Sequence, residues 1–252
     1  MTTPESPIIQ IERRKAIAVV VSSVILAIAL GGGLTKVGSG FASRTDNGIV
    51  STGSARVDAT ADNAVWTLSV SLGRTTVSEA VSKVDSDVIA VTKYLTNGGI
   101  SLDSLTLGPV STYGQEEWVN GNSTGRILNY RATRDITVRT KDVQLVSKLS
   151  QNIGTLLQTG VSVNNYGPQY YISTLAELRP QLLEAAMLDA KVRAEAITKA
   201  VGGSVGAVIS VRSGVFQVTT PDSTMTSDGG AYDTSTIEKT VTSTVSVTFK
   251  TK

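Results

Sequence analysis

"AVWTLSVSL", residues 64–72, alternates without a slip: Trp66, Leu68, Val70 and Leu72 fall on one face, Thr67, Ser69 and Ser71 on the other. A period of two with one apolar face is the pattern of a half-buried antiparallel strand. Immediately after it the period changes. Val77, Ala80, Val81, Val84, Val88, Val91 and Leu95 recur at helical spacing, and Gly98-Gly99 supplies a stop. A strand followed by a one-sided helix predicts a sheet covered by that helix.

The same two periods organise the rest of the chain. Strands are predicted around Ser104 to Val110 and over Asn129 to Thr140, where Ile136 and Val138 alternate with Thr137 and Arg139; Gly114 to Gly125 between them reads as a polar loop. A second helix carries Val143, Val146, Leu149, Ile153 and Leu156 on one stripe, with Gly160 just beyond it. The longest helix runs from about Leu175 to Val201. Ala186, Ala190, Ala194, Ile197 and Val201 form a narrow small-residue stripe that permits close backbone approach, and Gly202-Gly203 end it. Its outer face sets Asp189 four residues before Arg193, Lys191 before Glu195 and Glu195 before Lys199, read as a solvated row of ion pairs. The chain closes with "VTSTVSVTFKTK" (241–252), the clearest strand in the sequence. Residues 219–236, which include "TPDSTMTSDGGAYDTST", are too polar to make a core and read as a flexible loop. The fold class expected is α+β: mainly antiparallel sheets packed by two medium helices and one long Ala-rich helix, preceded by one transmembrane helix.

That last element is "RRKAIAVVVSSVILAIALGGGLTK" (13–36). From Ala16 to Leu34, 19 residues, there is no charge; as a helix this is roughly 28 Å, against a hydrocarbon core of about 30 Å. Ile17, Val20, Val24, Ile28 and Leu30 are the expected membrane anchor. Arg13, Arg14 and Lys15 precede it directly, so the positive-inside bias places residues 1–15 in the cytoplasm and the rest outside. A cleaved signal is the alternative, since Ala16 to Leu26 makes an apolar segment and Ala27-Ile28-Ala29 offers small residues for a peptidase. Residues 35–47, rich in Gly, Ser and Thr, read as a linker, and residues 48–252 as one domain. "GGGLTKVGSG" has no strand-loop-helix context and no P-loop ending, and is not read as a phosphate cradle.

The chain contains no cysteine and no histidine, which removes thiolate chemistry, disulfides and His-based nucleophile activation or metal ligation. Net charge is +2 with basic and acidic residues interspersed, so no stripe invites nucleic acid. No cofactor or metal is expected. Glu116-Glu117 beside Trp118 can in principle supply an acid and an aromatic platform for sugar, but no partner carboxylate is legible, and the pair reads as solvated. "NNYGPQYYIS" (164–173) gathers Tyr166, Tyr170 and Tyr171, residues that join large apolar area to a polar tip and are the candidate contact surface. The competing reading is an edge strand and turn packed under the long helix.

Three segments, "GIVSTGSARVDATADNAVWTLSVSL" (48–72), "LLEAAMLDAKVRAEAITKAVGGSVGAVISVRSG" (182–214) and "TVSVTFK" (244–250), together resemble the bacterial SIMPL-domain family. The resemblance implies a periplasmic or surface α/β protein, loosely tied to envelope or oxidative stress, some of whose relatives form ring- or channel-like homo-oligomers. It offers no catalytic residues. The function expected is a non-enzymatic, membrane-anchored protein that self-assembles outside the inner membrane and scaffolds or encloses a patch of lipid bilayer. The alternative is a monomeric or dimeric periplasmic binding module for a hydrophobic or stress-related ligand.

Overall fold

A computed structural model describes residues 48–252; the expected cytoplasmic tail, anchor and linker lie outside the described residues. The alternation at 64–72 is realised as β2 (Asn63–Arg74), with Trp66, Leu68 and Val70 fully buried. β1 (Gly48–Thr60) precedes it. α1 (Val77–Asn97) follows, capped by Thr76, whose Oγ1 accepts from the Glu79 amide at 3.2 Å. After a 3-10 turn at Leu102–Ser104 come β3 (Leu105–Leu107), β4 (Ser111–Val119) and β5 (Asn122–Thr140). Then follow α2 (Val143–Asn152), capped by Asp142, the single turn α3 (Gly154–Leu157), and β6 (Val163–Tyr171). The chain ends with α4 (Leu175–Ala200), β7 (Val205–Ser213), β8 (Gln217–Thr219) and β9 (Glu238–Thr251).

The first sheet has the order β3-β5-β2-β6, with β4 also pairing β5, and these four pairings are antiparallel. In register, Trp66 faces Val138 and Leu68 faces Ile136. Onto these residues α1 lays Ala80, Val84, Val91 and Leu95, and α2 adds Val146 and Leu149, all buried. The β2–β6 register slips between Trp66 and Leu68, opposite Gly167 at φ +81°. That irregularity lets the Trp66 indole donate to Asn165 Oδ1 at 2.8 Å, so the largest buried ring leaves no stranded N–H. Asp87 is buried on α1, where it pairs with Lys83 one turn back and accepts the Ser162 amide at 3.3 Å.

The second sheet runs β1-β9-β7, with β8 also on β9. β9 alternates as predicted: Val241, Val245, Val247 and Phe249 are buried, while Thr242, Thr244, Ser246 and Thr248 are not. The 26-residue α4 buries one position per turn, Leu182, Ala186, Ala190, Ala194 and Thr198. The reason for this thin stripe stands opposite it. A Cβ on Gly53 would lie 2.1 Å from the Ala186 carbonyl oxygen and 2.3 Å from the Ala190 amide nitrogen. Helix backbone and strand backbone touch there, which only glycine on the strand and small residues on the helix allow. Asp189 corrects the expectation of a purely solvated row. Its Oδ2 accepts the Ser54 amide at 2.8 Å, and then the Arg193 Nε at 2.9 Å, and these bonds hold its pKa below the usual carboxylate value.

Two compact units divide the chain. The larger, Ser51–Arg193 with Val211–Val247, contains the whole first sheet and β8 together with the greater parts of β1, α4 and β9. The smaller includes residues 48–50 with Ala194–Ser210 and Thr248–Lys252; within it Ser204 and Lys252 exchange backbone hydrogen bonds of 3.0 and 2.9 Å.

Two local expectations change. Residues 114–125 are not a loop but the end of a hairpin. Asn120 and Gly121 both take positive φ, +50° and +81°, the two-residue turn that matches strand twist. Its polar composition hid the period of two. The predicted strand over Ser104 to Val110 shortens to Leu105–Leu107.

Candidate functional site

The hairpin is exposed along nearly its whole length. β2 ends at Arg74, opposite Tyr130, so residues 115–129 beyond it pair only with each other. The longer side of this arm reaches roughly 26 Å at the usual rise per strand residue. Every position from Ser111 to Leu128 is exposed except Glu117, and the exposed side chains include Tyr113, Trp118 at 65%, Val119, Ile127 and Leu128. A two-stranded ribbon with apolar groups open to water on both faces is marginal alone, and exposed apolar surface of this kind favours association.

The acidic pair sits on this arm. Glu117 accepts Arg126 Nε at 3.0 Å and is ion-paired with the same guanidinium, and it also takes the Thr124 hydroxyl at 3.0 Å. Glu116 accepts the Ser123 hydroxyl at 2.5 Å. Both carboxylates are thus engaged across the hairpin, and each pins its local register, where the ladder shifts between Gln115 and Trp118.

The three tyrosines do not form one surface. Tyr166 is 81% exposed, Tyr170 is 5% exposed within the first core, and Tyr171 is half-buried with its ring 6.0 Å from that of Tyr232. Successive strand residues point to opposite faces, which separates Tyr170 from Tyr171. β6 is an edge strand, as the competing reading had it, and residues 219–236 help to cover its edge: the Tyr170 amide donates to the Thr234 carbonyl at 2.8 Å.

That segment is tied down along its second half. Gln217 donates Nε2 to the Ser227 carbonyl at 2.7 Å and accepts the Ala231 amide at 2.8 Å, while the Tyr232 hydroxyl accepts the Ile172 amide at 2.9 Å. Lys239, with no exposed side-chain surface, donates to the Asp233 carbonyl oxygen at 2.6 Å and to its Oδ1 at 3.1 Å. Burial works to raise the Asp233 pKa, but hydrogen bonds from Ser235, Lys239 and Thr236 outweigh it and hold the group at about 2. Sequence reading missed this clasp. The available signal was a lysine on the same alternation as Val241, a charge on the apolar face of a strand.

Among the described residues no cluster of three or more Asp and Glu is placed to hold a metal ion, and no helix is long and apolar enough to cross a membrane. The topology therefore defines a mixed α+β protein of two mainly antiparallel sheets and three principal helices. Residues 49–249 match the family described as SIMPL, protein of unknown function (DUF541), and the chain belongs to that family. No curated protein matches it. Among solved structures, one similar chain is a hydrolase from Listeria innocua, at 10% identity over 78% of this chain and 91% of that one; with a TM-score of 0.18 the likeness carries no argument.

Proposed function

We propose that this protein is a non-enzymatic, membrane-anchored component of the cell envelope that self-assembles through its extracytoplasmic domain into a ring- or cage-like homo-oligomer against the bilayer. The observation that carries this reading is the β4–β5 arm, whose Trp118, Val119, Ile127 and Leu128 stand in water in the single chain. A second copy that covers the arm removes that apolar area from solvent. β7 adds support: it pairs with β9, Ala207–Ser213 are exposed, and it carries Val208, Ile209 and Val211. Unpaired strand edges favour association between copies. The anchor rests on the uncharged run 16–34 behind Arg13, Arg14 and Lys15, and several such helices on one assembly hold far more firmly than one.

The test is the particle mass of protein extracted in mild detergent, with its N-terminus read on the same sample. A large discrete particle beginning at Met1 or Thr2, reduced in mass by Trp118→Ser with Ile127→Ser, is expected. A monomer or dimer of the unaltered protein overturns the assembly. A start near Leu30 or Ser43 replaces the anchor with a cleaved signal.

A further inference from the structure

A cleft in the larger unit, independent of the arm, opens on the face of the second sheet that α4 does not cover. The alternation of β9 that buries Val241 and Val245 turns Thr242 and Thr244 the other way. Beside them β1 contributes Ser54 and Arg56, β8 contributes Gln217 and Thr219, and residues 223–228 rise as a wall. The space enclosed is about 830 Å³, within the size range of small-ligand sites. Eight of its fifteen lining residues are Ser or Thr, none is aromatic, and the two charged ones are Arg56 and Asp228.

The wall is built. It buries little apolar surface of its own, yet Gln217 Nε2 holds its last turn through the Ser227 carbonyl, and the chain beyond is fixed by the Ala231 amide on Gln217 Oε1 and by Lys239 on Asp233. A fully buried ammonium is a costly way to fix the polar chain that follows the wall. Each hydroxyl offers one donor and two acceptor lone pairs and rotates to suit its partner. The Arg56 guanidinium makes no hydrogen bond or ion pair among the described residues, so its planar donors remain available for a carboxylate. Val215 and Met225 supply short apolar contacts of the kind the C–H faces of a sugar ring use. A hydrophobic ligand would instead strand many of these hydroxyls without partners.

We infer that this cleft binds an acidic carbohydrate, a short run of hydroxylated rings carrying a carboxylate, with Arg56 on the acid and Thr242 and Thr244 on ring hydroxyls. A phosphate-bearing glycan shares part of this chemistry, and the choice of probes separates the two. Calorimetric titration of the full chain in mild detergent, in the unaltered protein and in the Trp118→Ser arm variant, uses trigalacturonate, maltotriose and inorganic phosphate. Trigalacturonate is expected to bind in both backgrounds, and maltotriose about tenfold more weakly or worse. Arg56→Gln should weaken the acidic probe about tenfold and leave the neutral one unchanged. Thr242→Val with Thr244→Val, β-branched replacements that a strand accepts, should weaken both. The inference falls if trigalacturonate gives no heat at millimolar concentration, if Arg56→Gln binds it as the parent does, or if inorganic phosphate binds as tightly as the sugar acid. Should Arg56→Gln fail to fold, the threonine pair and the order of the three probes still decide.

Discussion

Gly53→Ala tests the contact on which the second sheet's helix is seated. The added Cβ would meet the Ala186 carbonyl oxygen at 2.1 Å, the Ala190 amide nitrogen at 2.3 Å and the Ala190 Cα at 2.8 Å. All three are backbone atoms, so no rotamer relieves the clash and the helix must retreat by roughly 1.4 Å to restore ordinary contact distances near 3.5 Å. The retreat strips packing from Leu182, Ala186 and Ala190, the helix's buried stripe in this unit, and stretches the 2.8 Å bond from the Ser54 amide to Asp189 beyond hydrogen-bond length. Overpacking of this kind costs about 1–3 kcal/mol, from which up to about 1 kcal/mol is recovered because alanine restricts the unfolded chain. A net loss near 2 kcal/mol should lower the melting temperature by roughly 4–8 °C for a domain of this size. Circular dichroism of thermal and urea unfolding measures it. Gly154→Ala, where an added Cβ meets nothing within 4 Å, serves as the control and should be neutral or slightly stabilising. Adding Ala186→Gly should fail to rescue Gly53→Ala, because the Ala186 atom in the way is a carbonyl oxygen and not the methyl. An unchanged melt for Gly53→Ala, or rescue by Ala186→Gly, would refute the reasoning.

Three other perturbations follow from named contacts. Asp233 has a folded pKa of about 2, below the ordinary aspartate value of 3.8, so its contribution is complete above the unfolded value and is lost as pH falls from about 4 towards 2. Hydrogen exchange should show the amides of Ala231 and Thr236 opening in that window, and Asp233→Asn should leave them open already at neutral pH. Lys239→Met removes the buried ammonium while keeping an apolar side chain on the Val241 face; increased protease cutting between residues 223 and 236, with the first sheet intact, is the expected result, and an unchanged digest would mean that the clasp is not what holds the segment. Gly121→Val places a β-branched residue at φ +81°, where it is strained. The hairpin tip should fray and the particle mass should fall with it, whereas an unchanged mass would detach assembly from the arm.

Period alone carried the reading of β2, α1, α2 and β9, because each buries one continuous face and the face repeats in the chain every two or 3.6 residues. Val241 to Phe249 emerged inward and outward as written. Residues 114–125 did not read correctly, since the arm buries neither face and so leaves no hydrophobic period; the one local mark was Asn120-Gly121, a turn signature with a mechanism. The tyrosines read as a cluster because they are neighbours along the chain, while strand geometry sends Tyr170 inward and Tyr171 the other way.

By itself, then, the sequence determined the α+β class and the main core faces, because those depend on local spacing and on residue types that water rejects, while the family was legible only as a resemblance of three stretches. Tertiary structure decided what depends on partners far along the chain. Gly53 meets Ala186 and Ala190, Asp189 turns to Ser54, and Thr242 comes to stand beside Ser54 and Arg56 in one cleft. Such pairings follow from how the sheet and helix are laid together, and no spacing between neighbouring residues encodes them.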